Sequence, residues 1–278
     1  MRGLKGNVMS WLVEMFHVTK PIIAMCHLQA MPGDPAYDTQ GGMKKVVDCA
    51  RRDVLALQAG GVDGIMFSNE FSLPYLTRVE PVTVAAMGRV IGELLPQIAV
   101  PYGVNCLWDP EASIDLAAAV DAKFIREIIS GVYASDYGLW NTNPGATVRH
   151  RIVVSAQDVR MIYNIVPEAA KYLADRDIAD IARSTEFDLG PDAICVSGLT
   201  AGAEADTQIL TAVKGAVDHT PVLCNTGVNL SNIERQLAVA DGAVCATTFK
   251  IDGVFQNAVD PKRVEQFMTK VRQVRAVD

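Results

Sequence analysis

The sequence lacks any apolar run that approaches the ~20 residues needed to span a bilayer. Its first 20 residues also lack the apolar core and the small-residue cleavage site of a secretory signal. None of the six cysteines forms a C-x-x-C pair, and five of them lie within apolar, strand-like runs. Cysteine in such runs usually acts as a small buried hydrophobe. We therefore expect a cytoplasmic chain with reduced thiols and no transmembrane segment.

Basic side chains are also in short supply. The chain has 25 Lys and Arg against 32 Asp and Glu, which gives a formal net charge of −7. A protein that binds a nucleic-acid backbone or an anionic membrane normally carries a basic patch. We therefore expect neither of these partners, whereas a local basic pocket for one phosphate group is compatible with the charge.

Several motifs with known chemistry are absent. No G-x-G-x-x-G follows the first predicted strand, which argues against a dinucleotide-binding sheet. No H-x-H or H-E-x-x-H occurs, so a histidine-rich zinc centre is not expected. A Schiff-base mechanism needs a desolvated lysine near the reacting carbonyl. Lys123 begins a predicted strand and Lys250 lies beyond one, so a lysine-dependent aldolase is not favoured.

The sequence does contain a regular alternation of short β-rich apolar runs with longer helical patterns. This alternation is typical of βαβ units with a parallel sheet, and 278 residues suit one barrel with its helices. We predict an α/β fold, a single-domain (β/α)8 TIM barrel. An open doubly wound sheet is the alternative, and the eight repeats and the missing glycine motif argue against it. The predicted strands are 21–26, 64–67, 102–106, 124–129, 161–166, 193–196, 221–224 and 243–247.

Two segments stand apart from this repeat. Residues 1–20 form a predicted N-terminal segment whose short helix caps the bottom of the barrel, and residues 21–278 form the barrel itself. An excursion at about residues 131–151 is rich in aromatic side chains, and we expect it to be an inserted lid or binding loop. The N-terminal helix is predicted from apolar residues at helical spacing: Trp11, Leu12, Met15 and Phe16.

Small residues follow the last three predicted strands. In a TIM barrel the loops after the strands carry function, and phosphate is frequently held after strands seven and eight. Glycines at these positions let backbone N–H groups approach an anion closely, and a lysine beyond the eighth strand would supply formal charge. The predicted phosphate-binding residues are Gly198, Gly227, Thr248 and Lys250.

Carboxylates follow or end three different strands, and a barrel would bring them to one pocket. Paired acids in a partly dry pocket can divide general acid and general base work. Glu70 and Glu127 could instead hold a divalent metal such as Mg²⁺. Arg126 and Glu127 are adjacent on one strand, so their side chains point to opposite faces; we favour Glu127 at the mouth, and the reverse stays open. The predicted catalytic residues are Glu70, Glu127, His27 and Asp109.

Four asparagines lie at or just past predicted strand ends. A ring of amides would suit a ligand rich in hydroxyl groups, because each amide offers both a donor and an acceptor. A sugar or polyol fits that description. Trp140 of the inserted loop is added to these four as an aromatic contact. The predicted substrate-binding residues are therefore Asn69, Asn105, Asn164, Asn225 and Trp140.

Several short stretches carry a resemblance to a known family. They are PIIAMCHL followed by MPGDP, GGVDGIMFSNE, GVN followed by WDP, FIRE, VSGLTAG and NTGV. Together they resemble the BtpA family, from about residue 9 to the end of the chain. The resemblance implies a fold like that of ribulose-phosphate-binding barrels and a ligand like a sugar phosphate. It is strongest with a bacterial branch that accompanies sugar-transport and sugar-metabolism genes, and another branch is associated with photosystem I biogenesis. It implies no established catalytic residues.

These features predict an enzyme that acts on a phosphorylated sugar or a similar small metabolite, by isomerisation, epimerisation, lyase chemistry or glycosidic cleavage. The alternative is a non-catalytic assembly or stability factor, as the photosystem association implies. We also expect a homo-oligomer, because barrels often self-associate. The residues leave the substrate, the reaction type and any metal requirement open.

Overall fold

The computed structural model describes residues 10–198 and 204–277. Within them, eight parallel strands close into a barrel, and helices follow the strands around its outside. The predicted (β/α)8 barrel is therefore confirmed. Three parts of the sequence predictions lie outside the described residues: residues 1–9 of the N-terminal segment, residues 199–203 after the sixth barrel strand, and residue 278.

The strands are β1 (Ile22–His27), β2 (Gly64–Ser68), β3 (Tyr102–Asn105), β4 (Phe124–Glu127), β5 (Val132–Ser135), β6 (Gly138–Asn141), β7 (Arg160–Val166), β8 (Ala170–Tyr172), β9 (Ala193–Val196), β10 (Val222–Asn225) and β11 (Gly242–Cys245). The barrel closes in the order β1-β11-β10-β9-β7-β4-β3-β2, and each neighbouring pair is parallel. The remaining three strands form a separate antiparallel sheet in the order β6-β5-β8.

The helices are α1 (Trp11–Phe16), α2 (Gly42–Gly60), α3 (Pro81–Leu94), α4 (Pro110–Ala119), α5 (Pro144–Val153), α6 (Ile178–Ser184), α7 (Thr207–Ala216), α8 (Ile233–Leu237) and α9 (Pro261–Arg275). Several begin with the residues that helix starts prefer. Proline opens α4 and α9, where its missing N–H costs no hydrogen bond. The preceding Asp109 and Asp260 each accept a backbone N–H of the first turn.

Side chains on each barrel strand alternate between the interior and the helices. The interior layer is apolar and includes Met25 on β1, Phe124 on β4 and Leu223 on β10. Near the carboxyl ends of the strands, the residues that point into the barrel are polar. This polar layer lies at the bottom of the barrel mouth and comprises His27, Ser68, Asn105, Arg126, Asn164, Ser197 and Asn225.

Helix α1 covers the opposite end. Leu12 and Phe16 pack into the same interior cluster, and the Phe16 ring lies 5.9 Å from the Phe124 ring. The Trp11 indole N–H donates to the Asp192 carbonyl at 2.7 Å. A Cβ on Gly64 would lie only 2.6 Å from the Phe16 ring, so glycine is needed for this close approach. Solvent therefore reaches the interior layer from the mouth rather than from below.

The segment at residues 131–151, predicted as an inserted lid or binding loop, contains regular secondary structure. β5 and β6 form a hairpin in which Tyr133 is paired with Trp140, and α5 then occupies the rest of the segment. The two aromatic side chains are buried and belong to one cluster. β5 and β6 are short and largely exposed, so they lack the continuous apolar run that marks a barrel strand in the sequence.

Among the described residues, no helix is long and apolar enough to cross a membrane. The six cysteines are all unpaired, and five of them are buried. Burial raises the pKa of the Cys26 and Cys195 thiols to about 12, so both stay protonated. These cysteines contribute packing rather than reactive thiolates.

Candidate functional site

A cavity of about 560 Å³ opens at the carboxyl ends of the barrel strands. This is the face on which barrel enzymes carry their chemistry, and the volume suits a small metabolite. Its walls come from the strand ends and from the segments after β2, β3, β7, β10 and β11. The predicted residues that line it are His27, Glu70, Asn225, Gly227 and Thr248.

The structure reverses the favoured choice between the adjacent residues of β4. Arg126 lines the cavity, whereas Glu127 lies behind it, completely buried against α4. Glu127 Oε1 accepts hydrogen bonds from Ser113 Oγ at 2.7 Å and from Asn105 Nδ2. Asn105 Oδ1 in turn accepts from Arg126 Nη2 at 2.8 Å. Glu127 therefore orients Asn105 and Arg126 and has no path to a ligand in the cavity.

Burial raises the pKa of Glu127 from 4.5 to about 8. The native state thus binds a proton that the unfolded chain releases, so the stabilising effect is complete below about pH 4.5 and is lost as the pH rises through about 8. We expect wild type to lose at least about 1 kcal/mol of unfolding free energy, relative to Glu127→Gln, between about pH 6 and pH 9. Urea denaturation at both pH values measures this difference. If the unfolding free energies of the two proteins changed equally between the two pH values, Glu127 would already be ionised at pH 6.

Two glutamates line the cavity, and sequence reasoning found only one of them. Glu70 follows β2, and its Oε2 accepts from Ser68 Oγ at 3.0 Å. Glu168 follows β7 by two residues and was not predicted, because a single glutamate in a short connection belongs to no recognisable sequence pattern. Burial, and then the negative charge of Glu70, raise the pKa of Glu168 to about 7, whereas Arg126 lowers it. The mouth therefore holds one carboxyl group that gains and loses a proton near neutral pH.

His27 ends β1 and lines the cavity as predicted, with 4% of its surface exposed. Its ring packs against Phe255, with the ring centroids 5.1 Å apart. Burial lowers the pKa of the imidazole to about 4, so the ring is neutral at physiological pH. A neutral imidazole offers one donor and one acceptor nitrogen.

Three buried polar atoms of the cavity wall have no hydrogen-bond partner among the described residues: His27 Nδ1, Trp108 Nε1 and Arg126 Nε. An unsatisfied buried donor or acceptor costs about 1–3 kcal/mol. Such groups are rare in native proteins unless water or a ligand satisfies them. The residues that carry these three atoms all line one cavity, which favours a polar ligand at this site.

The wall formed after β10 and β11 combines small residues with one cation. Gly227, Thr248, Gly253 and Arg263 line it. Arg263 lies in the first turn of α9, and its Nε donates to the Thr248 carbonyl at 3.0 Å. That contact holds the guanidinium at the cavity. Sequence reasoning missed Arg263, because a basic residue in a helix normally reads as part of a solvated face.

The loop after β10 is held in an unusual backbone conformation. Thr226 has φ 63° and Gly227 has φ 64°. A β-branched residue in the left-handed region is strained by about 1–3 kcal/mol and persists only where its surroundings fix it. The Gly198 N–H donates to Thr226 Oγ1 at 2.8 Å, and Thr226 Oγ1 donates to the Asn225 carbonyl at 2.6 Å. The predicted phosphate ligand Gly198 thus uses its amide to position this loop.

Lys250 does not reach the cavity. Its side chain is 2% exposed, and Nζ lies 3.1 Å from Asp53 Oδ2 on α2. Asp53 Oδ1 also accepts the Val259 N–H at 3.2 Å. The prediction of Lys250 as a phosphate ligand is corrected to a structural ion pair, and Arg263 is the cation that lines this wall.

The remaining predicted site residues support the walls from outside the cavity. Asp109 caps α4 by accepting the Ala112 N–H at 3.1 Å. Asn69 Oδ1 accepts the Leu107 N–H at 2.7 Å. The side chains of Asn164 and Asn225 both donate to Ser197 Oγ, at 3.1 and 2.7 Å, and of the two only Asn225 lines the cavity. Trp140 packs edge-on against Trp108, which itself lines the cavity.

No group of three or more His, Cys, Asp or Glu side chains is arranged to hold a metal ion in residues 10–198 and 204–277. The two glutamates proposed from the sequence as metal ligands lie on different sides of β4. Glu70 lines the cavity, and Glu127 faces α4. They are therefore not placed to share one ion.

Comparisons with known proteins agree with this architecture. The sequence profile of the BtpA family matches residues 18–273. The putative sgc region protein SgcQ of Escherichia coli is 60% identical over 96% of this chain and 100% of its own length. The photosystem I biogenesis protein BtpA of Synechocystis is 31% identical over 92% of this chain and 90% of its own length.

Solved structures with the same fold are much more distant in sequence. The native KDPGal structure has a TM-score of 0.56 at 14% identity, covering 91% of this chain and 95% of that chain. The phosphoribosyl anthranilate isomerase of Thermus thermophilus has a TM-score of 0.53 at 12% identity, covering 92% and 100%. At such identities the likeness shows a shared barrel fold and nothing about the reaction.

Proposed function

The chain belongs to the BtpA family, and we propose that it is an enzyme that moves a proton on a phosphorylated sugar or a similar small metabolite. The observation that carries this proposal is the composition of one cavity. A wall of small residues with Arg263 faces the same space as two carboxyl groups, Glu70 and Glu168. Phosphate recognition and acid–base groups within one pocket are what a sugar-phosphate isomerase, epimerase or lyase requires.

The phosphate subsite is proposed at Gly227, Thr248 and Arg263. Glycine lets the backbone come close to an oxyanion, and arginine binds phosphate oxygens through paired N–H groups. The Thr248 carbonyl already fixes the orientation of the Arg263 guanidinium, so little side-chain freedom is lost on binding.

Glu168 and Glu70 are the proposed acid and base. With a pKa of about 7, Glu168 carries a proton in a large fraction of molecules at neutral pH and is suited to donate it to a substrate oxygen. Glu70 accepts the proton that leaves carbon or hydroxyl. The neutral His27 ring lines the same cavity and is proposed to contact a substrate hydroxyl or carbonyl group. Isomerisation needs one group that donates a proton and one that accepts it, and these two carboxyl groups share one pocket.

A thermal-shift titration tests this proposal. Glucose 6-phosphate, ribulose 5-phosphate and inorganic phosphate would each be added to purified protein, with the matching free sugars in parallel. A ligand at ~100 times its dissociation constant stabilises the folded state by about 2.7 kcal/mol. We expect a shift with at least one phosphorylated sugar and none with its free sugar, and Arg263→Ala should remove the shift.

Arg272→Ala is the matched control, because Arg272 lies on the same helix but is exposed and bonds to Thr269 Oγ1 at 2.9 Å. It should leave the shift unchanged. A shift that survives Arg263→Ala would place the phosphate elsewhere. The absence of any shift in a well-folded sample would contradict the enzyme proposal.

A non-catalytic assembly factor is the second candidate. It is favoured by the 31% identical relative named as a photosystem I biogenesis protein and by exposed apolar side chains after β2, within β6 and after β8. Leu76, Leu139 and Leu173 are 49%, 56% and 56% exposed. Exposed apolar residues mark a surface that binds another protein where they form one continuous patch. If the protein is an assembly factor, sugar phosphates should cause no thermal shift, and Arg263→Ala should leave the assembly function unchanged.

A further inference from the structure

The cavity floor carries a buried cation that forms no ion pair with a carboxylate in the described part of the chain. Among the described residues, Arg126 and Lys250 are the lysine and arginine side chains that are buried. Lys250 pairs with Asp53. The hydrogen-bond partners of Arg126 among the same residues are uncharged, Asn105 Oδ1 at 2.8 Å and Met25 Sδ at 4.0 Å. A buried charge without a counter-charge is strongly unfavourable, so the site is arranged for an anion that binds from the cavity.

Nearby acids do not supply that anion. Glu127 is adjacent in the chain, but burial raises its pKa to about 8, so it keeps its proton at neutral pH. Glu70 and Glu168 line the cavity, yet neither forms an ion pair with Arg126 in the described part of the chain. Arg126 acts on Glu168 through space and lowers its pKa, but no carboxylate contacts the guanidinium in the described part of the chain, so its donor groups are left for a ligand.

The donor groups around Arg126 fit a planar oxyanion. Arg126 Nε is buried and unpartnered, and the guanidinium carbon lies 5.7 Å from the centre of the Trp108 ring. The indole Nε1 of Trp108 is also unpartnered. A carboxylate accepts several such N–H groups at once, and arginine matches its planar geometry. A hydroxyl group would leave the charge of Arg126 uncompensated.

Arg126 lies across the barrel from the phosphate wall. In the closed strand order, β10, β9 and β7 separate β11 from β4 on one side, and β1, β2 and β3 separate them on the other. Thr248 and Arg263 follow β11, and Arg126 lies on β4. One ligand that spans the mouth would place its two ends at these two cations.

We propose that the substrate carries a carboxylate at the end remote from its phosphate, and that Arg126 binds this carboxylate. The substrate class is then a phosphorylated sugar acid or keto acid. Glu168 follows β7, which adjoins β4, and Glu70 follows β2, which lies two strands from both β4 and β11, so the acid–base pair lies at and beside the carboxylate end of such a ligand. The inference rests on the function proposed above, and it specifies which sugar phosphates the cavity selects.

Two pairs of ligands measure the contribution of the carboxylate to binding. 6-Phosphogluconate and sorbitol 6-phosphate differ only in a carboxylate or a CH2OH at carbon 1, and 3-phosphoglycerate and glycerol 3-phosphate form the same contrast on a shorter chain. Isothermal titration would give dissociation constants for wild type, Arg126→Met and Arg263→Ala. We expect wild type to bind the carboxylate member of at least one pair about tenfold or more tightly, the gain of one charged hydrogen-bonded contact.

Arg126→Met should abolish this preference while leaving the binding of sorbitol 6-phosphate or glycerol 3-phosphate nearly unchanged. Arg263→Ala should weaken both members of a pair equally, because both contain the phosphate. Equal affinity of wild type for both members at both chain lengths would overturn the inference without affecting the proposed phosphate subsite. The wild-type comparison needs no variant, so it decides the matter even where Arg126→Met does not fold.

Other results have separate meanings. A carboxylate preference that persists in folded Arg126→Met would also overturn the assignment to Arg126. Weakening of both members by Arg126→Met alone would mean that Arg126 holds the phosphate, which again overturns it. Failure of every phosphorylated probe and of inorganic phosphate to bind would instead contradict the proposed function itself.

Discussion

Replacing Lys250 by methionine should lower the free energy of unfolding by up to about 3–5 kcal/mol. The reason is that the buried carboxylate of Asp53 would lose its buried cation and keep only the half-exposed Arg52, whose Nε lies 3.2 Å from Asp53 Oδ1. Asp53 joins α2 to the segment after β11 by accepting from Lys250 Nζ and from the Val259 N–H. Chemical denaturation of wild type and Lys250→Met at neutral pH measures the loss.

An exposed ion pair of the same type is the control. Lys44 and Asp48 are 85% and 45% exposed, and Lys44→Met should change stability by less than about 1 kcal/mol because solvent screens surface pairs. The double change Lys250→Met with Asp53→Leu should recover much of the loss, since no unpaired charge is then buried. If Lys250→Met were fully stable and instead failed to bind phosphate, the phosphate assignment made from the sequence would be right.

Replacing Glu168 or Glu70 by glutamine should reduce turnover about 10²- to 10⁴-fold, the usual contribution of a general acid or base. Folding should survive both changes, and Glu168→Gln should leave stability unchanged or raise it, because it removes a charge that burial disfavours. The measurement is kcat/KM on whichever phosphorylated substrate is identified by the binding experiments. Glu80→Gln, an exposed residue outside the cavity, is the control and should leave turnover unchanged.

The pH profile separates the two roles. Burial raises the pKa of Glu168 to about 7, so its proton is present below that pH and lost above it. As the general acid of the free enzyme, it should make kcat/KM fall as the pH rises through about 7. This basic limb should be absent in the residual activity of Glu168→Gln and present in that of Glu70→Gln. Full turnover by both variants would refute the acid–base assignment.

The sequence located the strands well because their signal is local. Each predicted barrel strand overlaps an observed one, and apolar runs bounded by turn residues are a property of a few adjacent residues. The rule that function follows the strands of a barrel also placed His27, Glu70, Asn225, Gly227 and Thr248 at the cavity.

The face of a central strand was harder to assign. In β4, Phe124 points into the barrel and Ile125 points to the helices, and both are apolar because a parallel strand is buried on both sides. The alternation of side chains along a strand then shows that Arg126 and Glu127 lie on opposite faces of β4. It does not show which of the two faces the mouth. The packing of Phe124 against Phe16 and over Gly103 decides it.

The sequence by itself determined the order of eight strand–helix units, the apolar cap at the amino-terminal end and the set of polar residues at the strand ends. Only the tertiary structure decided which of them share the cavity. Lys250 meets a partner 197 residues away and leaves the site, whereas Arg263 enters it from a helix and Glu168 from a short connection. The physical reason is that burial and ion pairing depend on distances created when the barrel closes, and adjacent residues carry no record of those distances.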